Sequence, residues 1–216
     1  NMCGGAVCSQ ALQLEVTGCQ FTDNTAEGNG GAVCFGNEFV ETGGDVEFRL
    51  LVDGCVFENN LAEEGDGGAA KIDAESYEIS AEFTNNEFLH NQSGSSGGAA
   101  TVGGERRLDA TFSSNTFSWN AAESYGGAIE IGSPPSGSVS LIDELFEENT
   151  AGAGGGAMVK RSDAVQEELA GCALRANRND AVRTDSPSPP TPSSLFRSRC
   201  TDMSGVAVSV ALESGT

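Results

Sequence analysis

The stretch Phe88–Ala99 reads FLHNQSGSSGGA, and it contains the two short motifs on which the fold depends. The first motif is Phe-x-x-Asn, here Phe88 and Asn91, and the second is Gly-Gly-Ala, here Gly97–Ala99. Because both motifs recur along the chain in one fixed order, they indicate an internal repeat. The copies of the first are Phe21/Asn24, Phe57/Asn60, Phe88/Asn91, Phe117/Asn120 and Phe146/Asn149, and the copies of the second begin at Gly4, Gly30, Gly67, Gly97, Gly126 and Gly155.

The spacing of the motifs is nearly constant, which predicts one structural unit per repeat. The first Gly follows the motif Phe by 9 residues in four copies and by 10 in one. The last three intervals between successive motif Phe residues are 31, 29 and 29 residues. Stretches with β-type alternation flank the motifs, as at Tyr77–Phe83 before one and Ile129–Ile131 after another. Short strands separated by Gly and Asn turns at a fixed period are typical of a β-solenoid.

The sequence therefore predicts an all-β fold with one coil per repeat. Parallel stacking places equivalent residues about 4.8 Å apart, so Phe stacks on Phe inside the coil and Asn stacks on Asn at a turn. The motif Asn tolerates the left-handed conformation at such a turn, and Gly-Gly supplies a bend that a Cβ would block. Helical propensity is concentrated at Asp163–Leu169, where we expect a short helical turn.

The last repeat is degraded. Cys172–Asn177 matches Cys-x-Phe-x-x-Asn with Leu174 in place of Phe, and its Gly-Gly-Ala counterpart is Gly205–Val208. We expect a Pro/Ser-rich loop between them to leave the coil, and a second insertion, Gly36–Asp45, to widen the first full coil. The expected organisation is one β-helix domain over residues 1–216, with coils over 1–182, the Pro/Ser-rich loop over 183–199 and a last coil over 200–216.

Two kinds of glycosylation site are candidates. The Pro/Ser-rich loop resembles the hydroxyproline-rich, O-glycosylated segments of plant and green-algal wall proteins, the alternative being a tolerated surface insertion. Asn91–Ser93 is the one N-glycosylation sequon, and it cannot be modified if Asn91 is buried in a ladder. The candidate O-glycosylation positions are Ser186, Ser188, Pro189, Pro190, Thr191 and Pro192.

The motifs resemble those of the polymorphic outer membrane protein repeat, first described in chlamydial surface proteins, whose hallmarks are Phe-x-x-Asn and Gly-Gly-Ala-Ile. The full second hallmark occurs at Gly126–Ile129, and Val, Ala or Met takes the fourth place elsewhere. The resemblance covers roughly residues 1–182. It implies a right-handed parallel β-helix, here of about six to seven coils, exposed at a surface. Chlamydial members are adhesins, so the resemblance also implies an adhesive role.

The repeat register makes the cysteines interpretable. Two cysteines follow Gly-Gly-Ala-Val on successive coils, and two others stand two residues before a motif Phe on successive coils. A coil spacing of about 4.8 Å lies within the Cα range of a disulfide, the alternative being stacked buried thiols. Seven cysteines without zinc-type spacing favour an oxidising compartment. The candidate disulfides are Cys8–Cys34, Cys19–Cys55 and, flanking the Pro/Ser-rich loop, Cys172–Cys200.

Composition excludes several classes of partner. The chain has 32 Asp and Glu against 11 Lys and Arg, a net charge of −21, so it lacks the basic face that nucleic acid or an anionic membrane surface requires. No apolar run approaches the roughly 18 residues of a membrane span. We expect further coils or subunits of the same protein, arranged end to end, as partners, and cell-surface glycans as ligands.

An enzyme must be considered, because the β-helix fold hosts polysaccharide lyases, hydrolases and epimerases, whose sites need clustered carboxylates beside Arg, Lys or His. Here the acids are scattered, and we expect neither catalytic residues nor a cofactor, although acidic turns are compatible with Ca²⁺. The single histidine, His90, shares an outward column with Trp119, and the pair could stack on a sugar ring. The acidic groups in adjacent positions are Glu63, Glu64, Asp66, Asp143, Glu144, Glu147 and Glu148, and the column after Gly-Gly-Ala, also expected to face outward, is Cys34, Lys71, Thr101, Glu130 and Val159.

The function expected from the sequence is a non-catalytic structural or adhesive module. We expect it in an extracellular or cell-surface protein, such as a cell-wall or appendage component, as part of a longer chain or a filamentous assembly. The alternative is a carbohydrate-active enzyme (a polysaccharide lyase, hydrolase or epimerase) or a sugar-binding module on the same fold.

Overall fold

A computed structural model of the chain shows a parallel β-solenoid, which confirms the fold class predicted from the repeats. The structure describes residues 4–36, 46–132, 136–161, 165–179 and 181–184, together with the strands Ser198–Asp202 and Ala211–Leu212. Within these residues no helix has the length and apolar character needed to cross a membrane. The insertion at 37–45, the Gly205–Val208 segment and all the candidate O-glycosylation positions (Ser186, Ser188, Pro189, Pro190, Thr191 and Pro192) lie outside the described residues.

The described strands form three parallel sheets that run along the solenoid. The Gly-Gly sheet, named for the motif that precedes most of its strands, has eight strands: Val7–Ser9, Val33–Gly36, Ala70–Ala74, Ala100–Gly104, Ile129–Ile131, Met158–Lys160, Val182–Thr184 and Ala211–Leu212. The short sheet has five strands: Thr25–Ala26, Leu61–Ala62, Gln92–Ser93, Ala121–Ala122 and Thr150–Ala151.

The third sheet, the long sheet, has two arms. One arm contains Gln13–Thr17, Glu47–Asp53, Glu78–Thr84, Leu108–Ser113, Gly137–Ile142 and Val165–Arg175, with Ser198–Asp202 paired to the last of them. The other arm contains Gln20–Thr22, Val56–Glu58, Glu87–Leu89, Thr116–Ser118 and Leu145–Glu147. Val165–Arg175 joins the arms because it pairs with both Gly137–Ile142 and Leu145–Glu147.

One coil therefore passes through both arms of the long sheet, then the short sheet, then the Gly-Gly sheet. Five coils contribute a strand to the short sheet, which gives about five complete turns, slightly fewer than the six to seven coils expected. The sequence count included incomplete turns at both ends. The helical turn expected at Asp163–Leu169 was wrong, because residues 165–169 belong to Val165–Arg175. Pairing with the preceding coil overrides local helix propensity there.

The core is a stack of aromatic rings, as the repeat predicted. Phe57, Phe88 and Phe117 are register partners on successive coils, and their ring centroids are 4.7 and 4.8 Å apart with planes 3° and 5° from parallel. Leu174 pairs with Phe146 in the same column, which confirms its assignment as the degraded motif position. A second stack, Phe83 on Phe112 at 4.7 Å, packs beside the first.

The Gly-Gly pair is required by close backbone approach. The first glycine of each pair has a φ between 63° and 70°, as at Gly97 (66°), which L side chains rarely adopt. A Cβ on the second glycine, Gly98, would lie 2.1 Å from the carbonyl oxygen of Gly127 in the next coil. Two different constraints therefore select glycine at the two positions.

Candidate functional site

The motif asparagines form a continuous hydrogen-bonded ladder along one corner of the solenoid. Oδ1 of the fully buried Asn91 accepts hydrogen bonds from the backbone N–H of Asn60 at 3.0 Å and from its Nδ2 at 2.9 Å. Nδ2 of Asn91 donates to the Phe57 carbonyl at 2.9 Å and to Oδ1 of Asn120 at 3.0 Å. Each ladder side chain thus connects its own coil to both neighbours.

The ladder includes the last predicted motif residue, Asn149, and extends one coil beyond it. Oδ1 of Asn149 accepts hydrogen bonds from the backbone N–H and from Nδ2 of Asn120, each at 3.0 Å. Nδ2 of Asn149 donates to the Phe117 carbonyl at 2.8 Å and to Oδ1 of Asn177 at 2.9 Å. Asn149 is fully buried. The degraded repeat therefore keeps its ladder residue, Asn177, although its Phe is replaced.

The left-handed residue at this corner is the one before each ladder Asn, not the Asn itself as expected. This position leaves the Asn backbone in an ordinary conformation and turns the preceding side chain towards solvent. The sequence prediction of an outward column that contains His90 and Trp119 is therefore confirmed by exposed side chains at both residues. Values of φ between 50° and 57° occur at Asp23, Asn59, His90, Trp119, Glu148 and Ala176.

A second hydrogen-bonded ladder, which the sequence analysis missed, runs along the corner between the two arms of the long sheet. Oδ1 of Asn86 accepts the backbone N–H of Cys55 at 2.9 Å, and its Nδ2 donates to Oδ1 of Asn115 at 2.9 Å. Nδ2 of Asn115 in turn donates to a carboxyl oxygen of Glu144 at 3.1 Å. Each member stands two residues before a position of the Phe stack, which was the available signal. The column is Cys19, Cys55, Asn86, Asn115, Glu144 and Cys172.

Glu144 is the acidic member of this second ladder. It is 1% exposed, and its other carboxyl oxygen accepts the backbone N–H of Asn115 at 3.2 Å. Burial raises the pKa of Glu144 to about 8, although the hydrogen bonds from Asn115 oppose that shift. The side chain is therefore protonated at neutral pH, and a neutral carboxyl group takes the place of an uncharged asparagine amide.

Replacement of Glu144 by glutamine is expected to stabilise the protein at neutral and alkaline pH. The raised pKa means that the folded state holds a proton which the unfolded state releases above about pH 4.5, so the wild type loses stability as the pH rises towards about 8. The Glu144→Gln variant lacks this loss. The gain in unfolding free energy should be below about 1 kcal/mol at pH 5 and about 3–4 kcal/mol at pH 7.5.

Urea unfolding of both proteins at pH 5, 6 and 7.5 measures this difference. Glu87→Gln, a change at an exposed position, is the matched control and should give a difference that stays near zero at each pH. A gain for Glu144→Gln that does not increase with pH would contradict the protonated state of Glu144.

The structure does not contain the two rung-to-rung disulfides expected from the sequence. Cys8 and Cys34 are register partners. Cys34 carries a thiol, so these two cysteines are not joined by a disulfide. Cys19 and Cys55 are also thiols. In an in-register parallel pair the Cβ atoms stay about 4.8 Å apart, beyond the roughly 3.5–4.5 Å that a disulfide allows. Cys172 likewise carries a thiol, and the side chain of its expected partner, Cys200, lies outside the described residues.

Four of the five positions in the column after Gly-Gly-Ala are buried and the fifth, Lys71, is half-buried, so the expectation that this column is exposed to solvent was wrong. Cys34, Thr101, Glu130 and Val159 are 7%, 2%, 5% and 0% exposed. The turn that leads into Gly-Gly folds over this column, because the Thr101 hydroxyl donates to the Ser96 carbonyl at 3.1 Å. The positions are directed away from the Phe stack but are covered by neighbouring turns.

Two ion pairs lie at this covered corner. Nε of Arg161 is 2.7 Å from a carboxyl oxygen of Glu130, and its guanidinium lies 4.6 Å from the ring centroid of Tyr125. Burial raises the pKa of Glu130, and Arg161 opposes the shift.

In the second ion pair, Nζ of Lys71 is 3.3 Å from a carboxyl oxygen of Asp66. Burial would raise the pKa of Asp66, but Lys71 and hydrogen bonds from Ser95 and Ser96 hold it below its usual value. The structure thus partners both acids with cations.

The other acidic groups singled out in the sequence do not converge on one place. Glu63 and Glu64 are exposed at a turn, Asp143 is exposed, and the neighbouring Glu144 is buried in its ladder. Glu147 contacts Arg175 at 3.8 Å. Within the part of the chain that the structure describes, no group of three or more His, Cys, Asp and Glu side chains is placed to hold a metal ion.

The first ladder determines the surroundings of two features noted in the sequence, the exposed aromatic pair and the N-glycosylation sequon. The His90 and Trp119 rings stack with centroids 5.1 Å apart and planes 9° from parallel, and Trp119 is 48% exposed. Asn91 of the sequon is fully buried, and all its amide atoms are engaged in the ladder. Asn91 is therefore a structural residue and not a glycosylation site in the folded protein, because a buried amide cannot accept a glycan.

In the comparison with known proteins, one family model matches a short stretch of the chain. The model of the Chlamydia polymorphic membrane protein repeat matches residues 18–36, a stretch that contains Phe21, Asn24 and Gly30–Ala32. No curated protein and no solved structure matches the chain. In the structure this matched stretch is built as the later coils are, with Phe21 stacked on Phe57 and Asn24 bonded to Asn60. The chain is thus a parallel β-solenoid in which residues 18–36 are similar to the Chlamydia polymorphic membrane protein repeat.

Proposed function

We propose that this chain is a non-catalytic module of a surface-displayed protein, with a structural or adhesive role. The observation that carries the proposal is the family match at residues 18–36, because polymorphic membrane proteins are surface proteins in Chlamydia. The regular solenoid supports it, since stacked coils present a long, continuous surface. The net charge of −21 also suits a solvated, soluble exterior.

Antibodies raised against the recombinant protein test the location. They are expected to label intact, non-permeabilised cells of the source organism, and brief protease treatment of those cells should remove the label. An antibody against a cytosolic protein, which should label permeabilised cells alone, is the control. Labelling that appears only after permeabilisation would contradict surface display.

Three further proposals go beyond surface display. They are an adhesive role, end-to-end association with further coils, and calcium binding. Sedimentation of the purified chain with calcium and with a chelator tests the last two, since association should increase the sedimentation coefficient.

Incubation with neutral and acidic polysaccharides tests the alternative of an enzyme. New reducing ends or unsaturated uronates would contradict the non-catalytic assignment.

A further inference from the structure

The exposed side of the first ladder corner has a step between its second and third coils. The side chains at the left-handed positions are short in two coils, Asp23 and Asn59, and are flat rings in the next two, His90 and Trp119. The rings of His90 and Trp119 stack on one another. The opposite face of the His90 ring therefore looks along the corner, over the shorter Asn59 side chain.

A depression of about 250 Å³ lies at this step. His90 forms its aromatic wall, and Trp119 supports that wall from behind. The remaining lining is mostly polar and includes Asp23, Thr25, Asn59 and Gln92, with Leu61 as an apolar contact. These groups supply two amides, one hydroxyl and one carboxylate beside one flat ring. We call this depression the His90 step.

We propose that the His90 step binds one ring of a neutral saccharide. A pyranose has an apolar C–H face that packs on an aromatic ring, and hydroxyl groups at its edge that both donate and accept hydrogen bonds. Amide and carboxylate side chains next to an aromatic wall match both features. The second aromatic ring, Trp119, fixes the orientation of the first, so that little conformational entropy is lost on binding.

Charge selects a neutral sugar over other flat ligands. The Asp23 carboxylate lines the step, and the chain carries a net charge of −21. A uronate, a sulfated sugar or a nucleotide would meet repulsion there. The proposal concerns this one depression and does not depend on where the protein is displayed.

Tryptophan fluorescence reports on the site through the stacked ring pair, because Trp119 is the only tryptophan in the chain and its ring lies against that of His90. Titration with cellotetraose or chitotetraose is expected to shift or quench this emission saturably, with a Kd of about 1 mM. Lack of a saturable change with both sugars, at concentrations well above that Kd, would overturn the proposal. A saturable response to pentalysine but to neither sugar would overturn it as well, in favour of a cation site.

A blocking variant keeps the aromatic wall and fills the depression. Asn59 and His90 both have a φ of 54°, so the Asn59→His variant should extend the ring stack by one member without backbone strain. We expect it to weaken saccharide binding at least tenfold. Asn85→His is the matched control, because Asn85 is an exposed left-handed residue (φ 56°) at the other corner. Binding by Asn59→His that equals the wild type, or an equal loss in Asn85→His, would overturn the proposal.

Discussion

The Asn91→Ala variant is expected to lose about 5 kcal/mol of unfolding free energy, the largest effect that we predict for a single substitution. The alanine cannot accept the two hydrogen bonds from Asn60, and it cannot donate to the Phe57 carbonyl or to Oδ1 of Asn120. Each of these buried groups loses a partner, and a buried polar group without one costs about 1–3 kcal/mol. A loss of this size approaches the whole stability of a typical domain.

Urea unfolding followed by far-ultraviolet circular dichroism measures the effect. The Gln92→Ala variant is the matched control, because Gln92 is the next residue and its side chain is exposed. That control should differ from the wild type by no more than about 0.5 kcal/mol. If Asn91→Ala unfolds at the same urea concentration as Gln92→Ala, the ladder does not stabilise the coils as described.

The Phe117→Ala variant is expected to lose about 4 kcal/mol. Phe117 is fully buried, and its ring centroid lies 4.8 Å from that of Phe88 and 5.1 Å from that of Phe146. The ring of Phe112 is tilted against it, with the centroids 6.3 Å apart. Removal of the ring leaves a cavity between coils that the hydrogen-bonded strands on either side cannot close.

The Phe117→Leu variant separates the volume of the side chain from its aromatic character. Leu174 occupies the same column one coil beyond Phe146, so the stack accepts leucine, and the loss should be about 1.5 kcal/mol or less. Thermal and urea unfolding of the two variants test this order. Equal losses for alanine and leucine, or a loss below about 1 kcal/mol for alanine, would show that the stack does not form the core.

The features that could be predicted from the sequence are those in which one residue type repeats in one column. Phe and Asn recur because a stacked ring and a ladder amide accept few substitutes, and Gly-Gly recurs because backbone contacts leave no room for a Cβ. The strands on either side followed from the same register. Leu174 could be assigned despite its change of residue type, because Asn177 stands at the expected distance.

The features that could not be predicted are columns with mixed residue types. The second ladder passes through Cys55, Asn86 and Glu144, and these three share only an ability to bond to backbone groups of the adjacent coil. The covered column after Gly-Gly-Ala combines polar and apolar members in the same way. Its burial depends on turns that fold over it, and sequence periodicity contains no information on that contact. The sequence alone therefore overestimated the exposed face.

The most direct test of the account is a solution NMR measurement of contacts between phenylalanine rings in protein labelled with ¹³C at phenylalanine. The central claim is that successive motif rings stack on one another, with centroids 4.7–5.1 Å apart from Phe21 to Phe146. The predicted result is a chain of ring-to-ring nuclear Overhauser effects that connects Phe21, Phe57, Phe88, Phe117 and Phe146 in that order. Contacts that skip members of this series, or folded protein without contacts between them, would contradict the solenoid.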